Sequence, residues 1–551
     1  MTALTPDRRR VVLLAVPVAL LVIAAVLRLP NLATRGTWDS DQGHDMLVLR
    51  QLVQDGVIPL LGPPTSIGDV HHGALYYYLL APAAALTGGD SPLAVVLVIA
   101  LAGIAAVLVT WWLARDIAGP VAGIVAGLGM AVSASAVDES TFIWNPNLIA
   151  LSSAVALVGA WRAWSTGRPR WWLLAGLGTA ITMQCHVLGV TLLPIVAVPL
   201  IMDARRRTIA GERRSVINNG LGALALVVLA FVPLAIHELT TNFSEVQAAL
   251  AYLRQGGDPN ALNPVLRFLV IGVRVASWPL SGLITDAPVA ALVSTAIVIG
   301  LAILAVIRGD LRERQAARWL GLGLLWTAAF LTFASPSLAT VVPGLPNDHY
   351  HAFADPMVFT ILGIGAAVLW RWGTTHGGTA DDGATPVDAG AASAAADSGR
   401  IATSITPGRI LVIVLAVGFL GFNLARQPPA VHPDGGFPAA DAAALRIIEA
   451  GGTELTLRSI PGFKSTEAYA YPLVRAGASV NVDSGSGPVT DPVGSLVVIC
   501  DSLFTPVVGA PCGGSAEATV APPDRYGDPV LRFEAQPGRT ISVYRGALAT
   551  R

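Results

Sequence analysis

The sequence predicts an α-helical membrane protein that crosses the bilayer about eleven times and ends in a small α/β domain. Of its 551 residues, 53% are hydrophobic and only 13% are charged, whereas soluble domains contain roughly 25% charged residues. The apolar residues form continuous runs of about 17 to 23, the length that crosses a hydrocarbon core roughly 30 Å thick. This composition excludes a soluble globular enzyme, and the lack of alternation within the runs excludes a transmembrane β-barrel.

Arginine sets the predicted orientation of the spans, because Lys464 is the only lysine among 35 basic residues. With the N-terminus in the cytoplasm, arginines concentrate in the cytoplasmic segments and are few in the external loops. We therefore predict a multi-pass protein of the plasma (inner) membrane. The eleven predicted spans are residues 11–29, 91–113, 120–137, 148–163, 172–185, 187–202, 218–236, 286–307, 318–335, 355–371 and 409–425.

The first span is open to a second interpretation, because charged residues followed by an apolar stretch also begin a secretory signal. The stretch 11–27 is long for a signal core, and Arg28, Leu29 and Pro30 follow it where a signal would have a small-residue cleavage site. We interpret it as an uncleaved span.

Two further segments are assigned by the charge asymmetry. Residues 74–86 are too short to cross, and counting them as a span would place Arg115 outside, so we predict that they lie on the external surface. Residues 172–202 lie between two arginine-rich loops that must share a side, so we predict that they cross twice.

Composition divides the chain into a membrane domain, residues 1–425, and an extracytoplasmic α/β domain, residues 439–551, joined by a Pro- and Gly-rich linker, residues 426–438. Within the membrane domain, residues 372–408 are predicted to form a disordered cytoplasmic loop, since Ala, Gly, Asp and Ser offer little to bury. Periodicity in the C-terminal domain predicts helices at 439–450 and 466–476 and strands at 454–459, 495–500 and 540–544.

The three cysteines are too few for a disulfide scaffold. Cys500 and Cys512 share the predicted external domain, where an oxidising compartment permits a disulfide bond. Two unpaired thiols are the alternative. Cys185 lies in a predicted span as a small core residue.

Histidine and acidic side chains gather on the external side of the predicted membrane domain. The spans carry almost no charge at mid-membrane, where a transporter would place it. This distribution predicts a reaction centre at the external face. Seven of the nine histidines fall in external loops or at external span ends: His44, His71, His72, His186, His237, His349 and His351.

The first external loop, residues 30–90, contains the densest polar cluster. Asp39, Asp41 and Asp45 follow soon after the first span. Carboxylates held at an interface accept a proton from an attacking hydroxyl or bind a hard divalent cation. The alternative is a solvated acidic loop in which Asp41 only caps a helix. The next residues, 46–53, carry their apolar side chains on one face and predict an interfacial helix.

Two histidines follow in the same loop. His71 and His72 are candidate metal ligands or donors to a phosphate, and the tyrosines at 76–78 form an interfacial belt, at least in part. His237 and Glu238 stand at the external end of a span, where they are predicted to meet this loop.

Two arginines stand in the second external loop. Arg267 and Arg274 are seven residues apart and share one helical face. They are expected either to bind a lipid phosphate or to extend to headgroups.

Four short motifs lie at the predicted external face: Asp41-Gln42-Gly43, His72-Gly73-Ala74-Leu75-Tyr76-Tyr77, Trp144-Asn145-Pro146-Asn147 and Asn347-Asp348-His349-Tyr350-His351. They resemble motifs of the membrane-embedded C-type glycosyltransferases, in particular the protein O-mannosyltransferase and aminoarabinose-transferase-like group. The resemblance covers roughly residues 8–425 and leaves out the C-terminal domain. The departures from that group's pattern are Gln42 for an acid, Gly73-Ala74 for two prolines and Asn145 for an aspartate.

The resemblance implies transfer of a sugar from a polyprenyl-phosphate donor to an acceptor at the external face. It implies Asp41 as general base, with Asp39 as the competing candidate. It also implies a divalent metal, magnesium or manganese in preference to zinc, whose expected ligands are Asp41, His72, His237 and Glu238. The expected substrate-binding residues are His71, His72, Tyr76, Asn145, Arg267, Arg274, His349 and Tyr350.

The predicted function is therefore an inverting glycosyltransferase whose partners are the lipid donor, membrane lipids and an envelope glycan, lipid or protein, with no nucleic acid. Such a donor needs no nucleotide pocket, and the predicted cytoplasmic segments contain no phosphate-cradling glycine motif. A transporter or flippase of lipid-linked sugars is the alternative, and it predicts polar residues at mid-span and internal repeats. A non-catalytic scaffold would not need the external Asp and His cluster.

Overall fold

The computed structural model describes residues 6–65, 70–254, 262–340, 347–372, 406–462, 466–485 and 487–546. A short hairpin of β1 (Leu61–Pro64) and β2 (His71–Gly73) and four 3-10 turns, Asn145–Leu148, Val187–Thr191, Pro336–Ala339 and Asp348–Ala354, belong to the membrane domain. Its helices within these ranges are α1 (Pro6–Arg28), α2 (Leu32–Arg35), α3 (Ser40–Gln54), α4 (Leu75–Ala85), α5 (Pro92–Ala118), α6 (Pro120–Val132), α7 (Ala134–Asp138), α8 (Ile149–Thr166), α9 (Trp171–Cys185), α10 (Leu192–Arg206), α11 (Ala210–Ala230), α12 (Val232–Thr240), α13 (Ser244–Arg254), α14 (Pro264–Ser281), α15 (Pro288–Arg308), α16 (Leu311–Ala334), α17 (Asp355–Arg371) and α18 (Pro407–Leu424).

Helices stand at all eleven predicted spans. Among the described residues, eight helical segments are long and apolar enough to cross a membrane, and seven of them lie at predicted spans. A ninth crossing results if α11 and α12, which are bent by 44°, form one span. At the eleven predicted spans the count is thus seven, or eight with this bent pair, because α6, α9 and the described apolar part of α1 are short.

The two faces of the membrane domain are identified by contacts between helix ends. The turns of the α5–α6 and α15–α16 hairpins lie on the same side, because Arg312 donates to the Asp116 carbonyl (3.0 Å). On the opposite side, Arg28 at the end of α1 donates to the carbonyls of Met130 (3.0 Å) and Ala131 (2.8 Å) at the end of α6. The first loop begins there, and we call this side the site face.

Helix α14 is the eighth candidate span, and the sequence places it in an external loop instead. Near its start, Arg267 donates to the carbonyl of Thr332 (3.0 Å) at the site-face end of α16. Near its end, the carbonyl of Trp278 accepts from Ser135 (2.9 Å), which follows α6. Because both ends contact the same face, α14 lies along the site face, as the sequence predicts for this apolar run.

The C-terminal domain is an α/β fold, as predicted. Its five strands stand in the order β4-β3-β5-β7-β6, with β3 parallel to β4 and β5 and with β7 antiparallel to both its neighbours. All the predicted strands and helices are present, and β4 and β6 are additional. The elements are α19 (Gly436–Gly451), β3 (Glu454–Ile460), α20 (Thr466–Arg475), β4 (Ser479–Val482), β5 (Ser495–Asp501), α21 (Thr505–Val508), α22 (Ser515–Val520), α23 (Pro523–Tyr526), β6 (Leu531–Gln536) and β7 (Arg539–Tyr544).

The difference in burial explains why the sequence predicted β5 but not β6. Strand β5 is buried along nearly its whole length and is apolar from Leu496 to Cys500, whereas β6 alternates between partly exposed and exposed residues and includes Arg532 and Glu534. Cys500 and Cys512 form the disulfide bond that the sequence left open. Cys185 is a buried free cysteine, as predicted.

The segment predicted as a linker packs against the first loop. The hydroxyl of Thr34 donates to the carbonyl of Ala430 (2.8 Å), and the amide of His432 donates to the carbonyl of Thr34 (2.8 Å). Arg35 donates to the carbonyl of Pro428 (3.0 Å). Residues 428–434 therefore connect the domains as a fixed strap. The predicted loop 372–408 lies outside the described residues except at its two ends, and α18 begins at Pro407.

Candidate active site

The first turn of α3 presents two carboxylates in different roles. Asp39 is the N-cap: its side chain accepts from the Ser40 amide (2.8 Å) and from the amide of Gln42. Asp41 lies within the first turn, is exposed, and accepts a hydrogen bond from the Trp144 indole (3.2 Å). The idea that Asp41 only caps a helix is therefore wrong, because Asp39 holds that position.

Gln42 explains one departure from the glycosyltransferase pattern. Its side-chain oxygen accepts from the Asp39 amide (2.8 Å), and its side-chain nitrogen donates to the Ile143 carbonyl (2.8 Å). Only 3% of the residue is exposed. An ionised glutamate has no proton to donate, so the amide joins α3 to the segment before the Asn145–Leu148 turn in a way that an acid would not.

Asp45, four residues after Asp41, fastens α3 to α4. Its two carboxylate oxygens accept hydrogen bonds from Tyr76 (2.7 Å) and Tyr77 (2.9 Å). Burial raises the pKa of Asp45 to about 7, against the lowering effects of His44 and of the two tyrosine hydroxyls. Tyr76 is fully buried in this contact. It therefore holds the loop, and the prediction that it binds substrate is not supported by its position.

Three imidazoles and the ring of Tyr350 cluster beside Trp144. The indole of Trp144 lies 4.1 Å from the ring of His349, centroid to centroid. The His186 ring lies 4.8 Å from His72, 5.7 Å from His349 and 5.0 Å from Tyr350. These residues come from β2, from the end of α9, and from the Asn145–Leu148 and Asp348–Ala354 turns and the residues next to them. The fold thus joins three of the four sequence motifs around one indole, which also reaches Asp41.

Backbone amides fix the tautomers of two of these histidines. The Val187 amide donates to His72 Nδ1 (3.3 Å), and the Leu188 amide donates to His186 Nδ1 (3.2 Å). Burial and nearby imidazoles lower the pKa values of both rings well below the usual range for histidine. Each neutral ring therefore carries its proton on Nε2. The pair offers two N–H donors to an acceptor without being charged.

Several predicted substrate-binding residues have protein partners instead. Arg274 is 1% exposed and pairs through Nε (2.8 Å) and Nη2 (2.5 Å) with the Asp348 carboxylate, and Nη1 donates to the Leu338 carbonyl (2.5 Å). Arg267 donates to two backbone carbonyls. Arg274 is therefore neither free for a lipid phosphate nor extended to headgroups. The Nε of Arg267 has no hydrogen-bond partner among the described residues, and its contact with a lipid phosphate stays a prediction. The sequence did not reveal that Asp348, in the motif Asn347 to His351, pairs with Arg274.

Asn145 and His71 also stabilise the surroundings of the site. The Asn145 amide donates to the Cys185 carbonyl (2.5 Å), which holds the Asn145–Leu148 turn against the end of α9. His71 pairs with Glu245 on α13 through its ring (2.8 Å) and its backbone amide (2.7 Å). Both residues thus lie near the histidine cluster, but these hydrogen bonds join them to other parts of the protein.

The predicted metal ligands do not form one group. His237 lies 3.2 Å from the Ser244 hydroxyl through Nε2 and is half-buried. The Glu238 carboxylate accepts from the amides of Glu245 (2.9 Å) and Val246 (3.3 Å) at the start of α13. In the part of the chain that the structure describes, no three His, Cys, Asp or Glu side chains are arranged to hold a metal. The described residues thus do not show Asp41, His72, His237 and Glu238 as one preformed group, and that set stays a prediction.

His186 and Trp144 are central to the cluster, and the sequence did not assign either of them a role. His186 stands at the site-face end of a span, as His237 does, so position alone does not separate them. The distinguishing feature is the 3-10 turn Val187–Thr191, which His186 caps through Nδ1. Such a local hydrogen bond has no strong signature in the sequence.

The comparisons with known proteins agree with this architecture. Residues 71–237 match the family described as dolichyl-phosphate-mannose-protein mannosyltransferase. The fold is similar to that of ArnT from Cupriavidus metallidurans in the apo state, with a TM-score of 0.55, 14% identity and coverage of 98% of each chain. The undecaprenyl phosphate-bound crystal structure of the same protein gives a TM-score of 0.54 and 12% identity over 96% of this chain and 97% of that one.

No curated protein matches the sequence significantly. Sequence identities of 12% and 14% establish likeness of fold only. The matched family segment contains His72 and His186, two members of the histidine cluster. The chain is therefore a multi-pass membrane protein with the C-type glycosyltransferase fold, and the glycosyltransferase resemblance that its sequence motifs predict is confirmed.

Proposed function

We propose that this protein transfers a sugar from a polyprenyl-phosphate donor to a hydroxyl group of an envelope glycan, lipid or protein, with inversion at the anomeric carbon. The observation that carries the proposal is the convergence of an exposed carboxylate, Asp41, and two neutral imidazole donors, His72 and His186, around Trp144 and His349. The undecaprenyl phosphate bound to ArnT supports a donor of this class.

Asp41 is suited to accept the proton of the acceptor hydroxyl. It is exposed at the first turn of α3, and the Trp144 indole orients its carboxylate. As the hydroxyl oxygen bonds to the anomeric carbon, its proton passes to Asp41 and the bond from that carbon to the phosphate oxygen breaks. Asp39 is less suited, because its carboxylate caps α3 and pairs with Arg539 (3.1 Å).

His72 and His186 are suited to stabilise the leaving phosphate. Their Nε2 protons become donors to the oxygen on which charge develops, and donors fixed before the reaction need no reorganisation during it. His349 and Tyr350 complete this side of the site. We route no step through a metal, because the residues expected to hold one do not form one group.

The site face would be the external face of the plasma membrane, because the arginine-rich segments lie at the other ends of the spans. This arrangement would place the N-terminus in the cytoplasm and the C-terminal domain outside, and would place the phosphate at the headgroup level of a membrane-anchored donor. Chelator treatment with metal add-back tests whether a divalent ion assists.

The test uses the full-length protein in lipid vesicles with a panel of radiolabelled polyprenyl-phosphate sugars and envelope acceptors. Asp41→Asn should lower kcat by about 100-fold or more, the range typical of a lost general base. Asp55→Asn, which neutralises an exposed carboxylate at the other end of α3, is the control and should retain activity. Unchanged transfer by Asp41→Asn would contradict the assignment, and movement of the lipid without product would support a transporter.

A further inference from the structure

The segment that leads into α3 is held by the C-terminal part of the chain along most of its length. We call residues 34–44 the base loop. The side chain of Asp434 accepts from the Thr37 hydroxyl (2.7 Å) and from the Trp38 amide (2.9 Å). His44 pairs with Glu467 (2.8 Å) at the start of α20. The candidate base therefore stands on a segment that the C-terminal domain and its strap enclose.

Trp38 is the apolar anchor of this contact. It is 3% exposed, and its ring lies 4.7 Å from Phe437 and 5.8 Å from Tyr471, centroid to centroid. Its indole nitrogen donates to the Ala468 carbonyl (2.8 Å). Burial of so large an aromatic side chain stabilises this interface.

Gly43 shows how closely the two domains approach. A Cβ atom at this position would stand 2.0 Å from the carbonyl oxygen of Glu467, a backbone atom that has no freedom to move aside. Helix α3 and the start of α20 are therefore in direct backbone contact, and a residue with a side chain would separate them.

Arg539 joins the sheet of the C-terminal domain to the cap of α3. Its Nη2 lies 3.1 Å from Asp39 Oδ1 and 3.2 Å from Asp501 Oδ2, and its Nη1 donates to Gln536 (2.7 Å). Arg539 is 8% exposed. The Gln536 side-chain amide also donates to the Trp38 carbonyl (3.4 Å). The same network therefore binds the backbone of the residue that precedes the N-cap Asp39.

We propose that the C-terminal domain is a positioning part of the active site and that Arg539 acts as a positioning residue through Asp39. This inference rests on the proposed function, since it gives Arg539 the task of orienting the helix turn that carries Asp41. Asp39 uses one carboxylate to cap the first turn of α3 and to receive the arginine. Movement of that carboxylate therefore moves Asp41, two residues further on.

Full-length variants test this role. Arg539→Ala should lower kcat about tenfold, as expected when a reacting group is held less well, with little change in the KM for the lipid donor. Arg539→Lys should recover part of the rate, because an ammonium group still pairs with Asp39. Arg532→Ala is the matched control, since it removes an arginine paired with Glu517 (2.8 Å) in the same sheet but away from the base loop.

Hydrogen exchange separates this inference from the proposed function. Exchange in residues 38–46 should rise in Arg539→Ala and stay near the wild-type level in Arg532→Ala, whatever the substrate. If the wild type transfers no sugar but this difference appears, the proposed function fails while the positioning contact stands. Equal exchange and equal kcat in the two variants, or a loss confined to donor KM, would overturn the positioning role.

Discussion

The two sides of the candidate site are built in opposite ways. The acidic side, Asp39 and Asp41, depends on Arg539, which lies 500 positions further along the chain than Asp39. On the imidazole side, the Leu188 amide, only two positions from His186, fixes that ring, and the neighbouring Val187 amide fixes His72. The proposed proton acceptor is therefore positioned by a second domain, whereas the proposed phosphate donors are set within the membrane domain.

This difference suggests that the two halves of the reaction can be disturbed separately. A change in the C-terminal domain should affect the orientation of Asp41 and spare the imidazole donors. A change in the 3-10 turns should affect donor binding and spare the base loop. The following predictions test that separation.

The largest expected effect is on the support of the imidazole side. Asp348→Ala leaves Arg274 without its carboxylate partner at a place where both side chains are about 1 to 2% exposed, and breaking a buried pair in this way costs about 3–5 kcal/mol. Denaturant unfolding of the purified protein should show this loss. Asp441→Ala breaks the more exposed pair with Arg475 and should cost about 1 kcal/mol or less, and equal losses in the two variants would refute the prediction.

A smaller effect is expected from removing one phosphate donor. His186→Ala should lower kcat/KM for the lipid donor by about 10- to 100-fold, or about 1.4–2.7 kcal/mol. His186→Gln keeps an N–H donor and should recover part of this loss. The control is His237→Ala, at a half-buried histidine outside the cluster, for which steady-state kinetics should change by less than about twofold. If His237→Ala had the larger effect, the assignment of the imidazole side would be wrong.

The smallest expected effect is a pH dependence of the acidic side. Burial lowers the pKa of His44, but the hydrogen bond and charge of Glu467, together with Asp45 and Asp41, outweigh it and raise that pKa above the ordinary value. The contact with Glu467 therefore contributes fully below the unfolded-state pKa and is lost as pH rises through the higher folded-state pKa. The protection of residues 38–46 against hydrogen exchange, measured relative to the intrinsic rate at each pH, should fall over that interval in the wild type.

Glu467→Gln provides the control for the pH dependence. It removes the carboxylate that raises the His44 pKa but retains a polar side chain. The protection of residues 38–46 against hydrogen exchange, relative to the intrinsic rate, should then lose most of its variation with pH. The same profile in both proteins would show that another group is responsible.

The sequence predicted the helices and the small α/β domain because hydrophobic runs and periodicity are local properties. It also predicted that Asp41, His72 and His349 share one side of the membrane domain. Charged residues are few in such a protein, and their distribution indicates which loops lie on the same side. Fewer of the predicted spans are long enough to cross a membrane by themselves, because α6 and α9 are 13 and 15 residues long. Length alone does not separate short spans from surface helices.

Pairing across the chain was not predictable in the same way. Arg274 has the spacing of a phosphate ligand, but its charge is balanced by Asp348, which lies in a distant motif. Gln42 stands where the glycosyltransferase motif has an acid. In the structure its side-chain oxygen accepts one hydrogen bond and its side-chain nitrogen donates another. Trp38 was given no role from the sequence, and its partners lie in the C-terminal domain. Each outcome depends on tertiary contacts that no local pattern specifies.

The separation of Asp39 and Arg539 also has a consequence for biosynthesis. A ribosome adds roughly 5–20 residues per second, so the 500 positions between them correspond to roughly 25–100 s of translation. During that interval the base loop exists without its contact with Arg539. A chain that ends before β7 never forms that contact. Translation order therefore makes the acidic side of the site one of the last parts of the molecule to be completed, and a truncated product would insert into the membrane without a finished site.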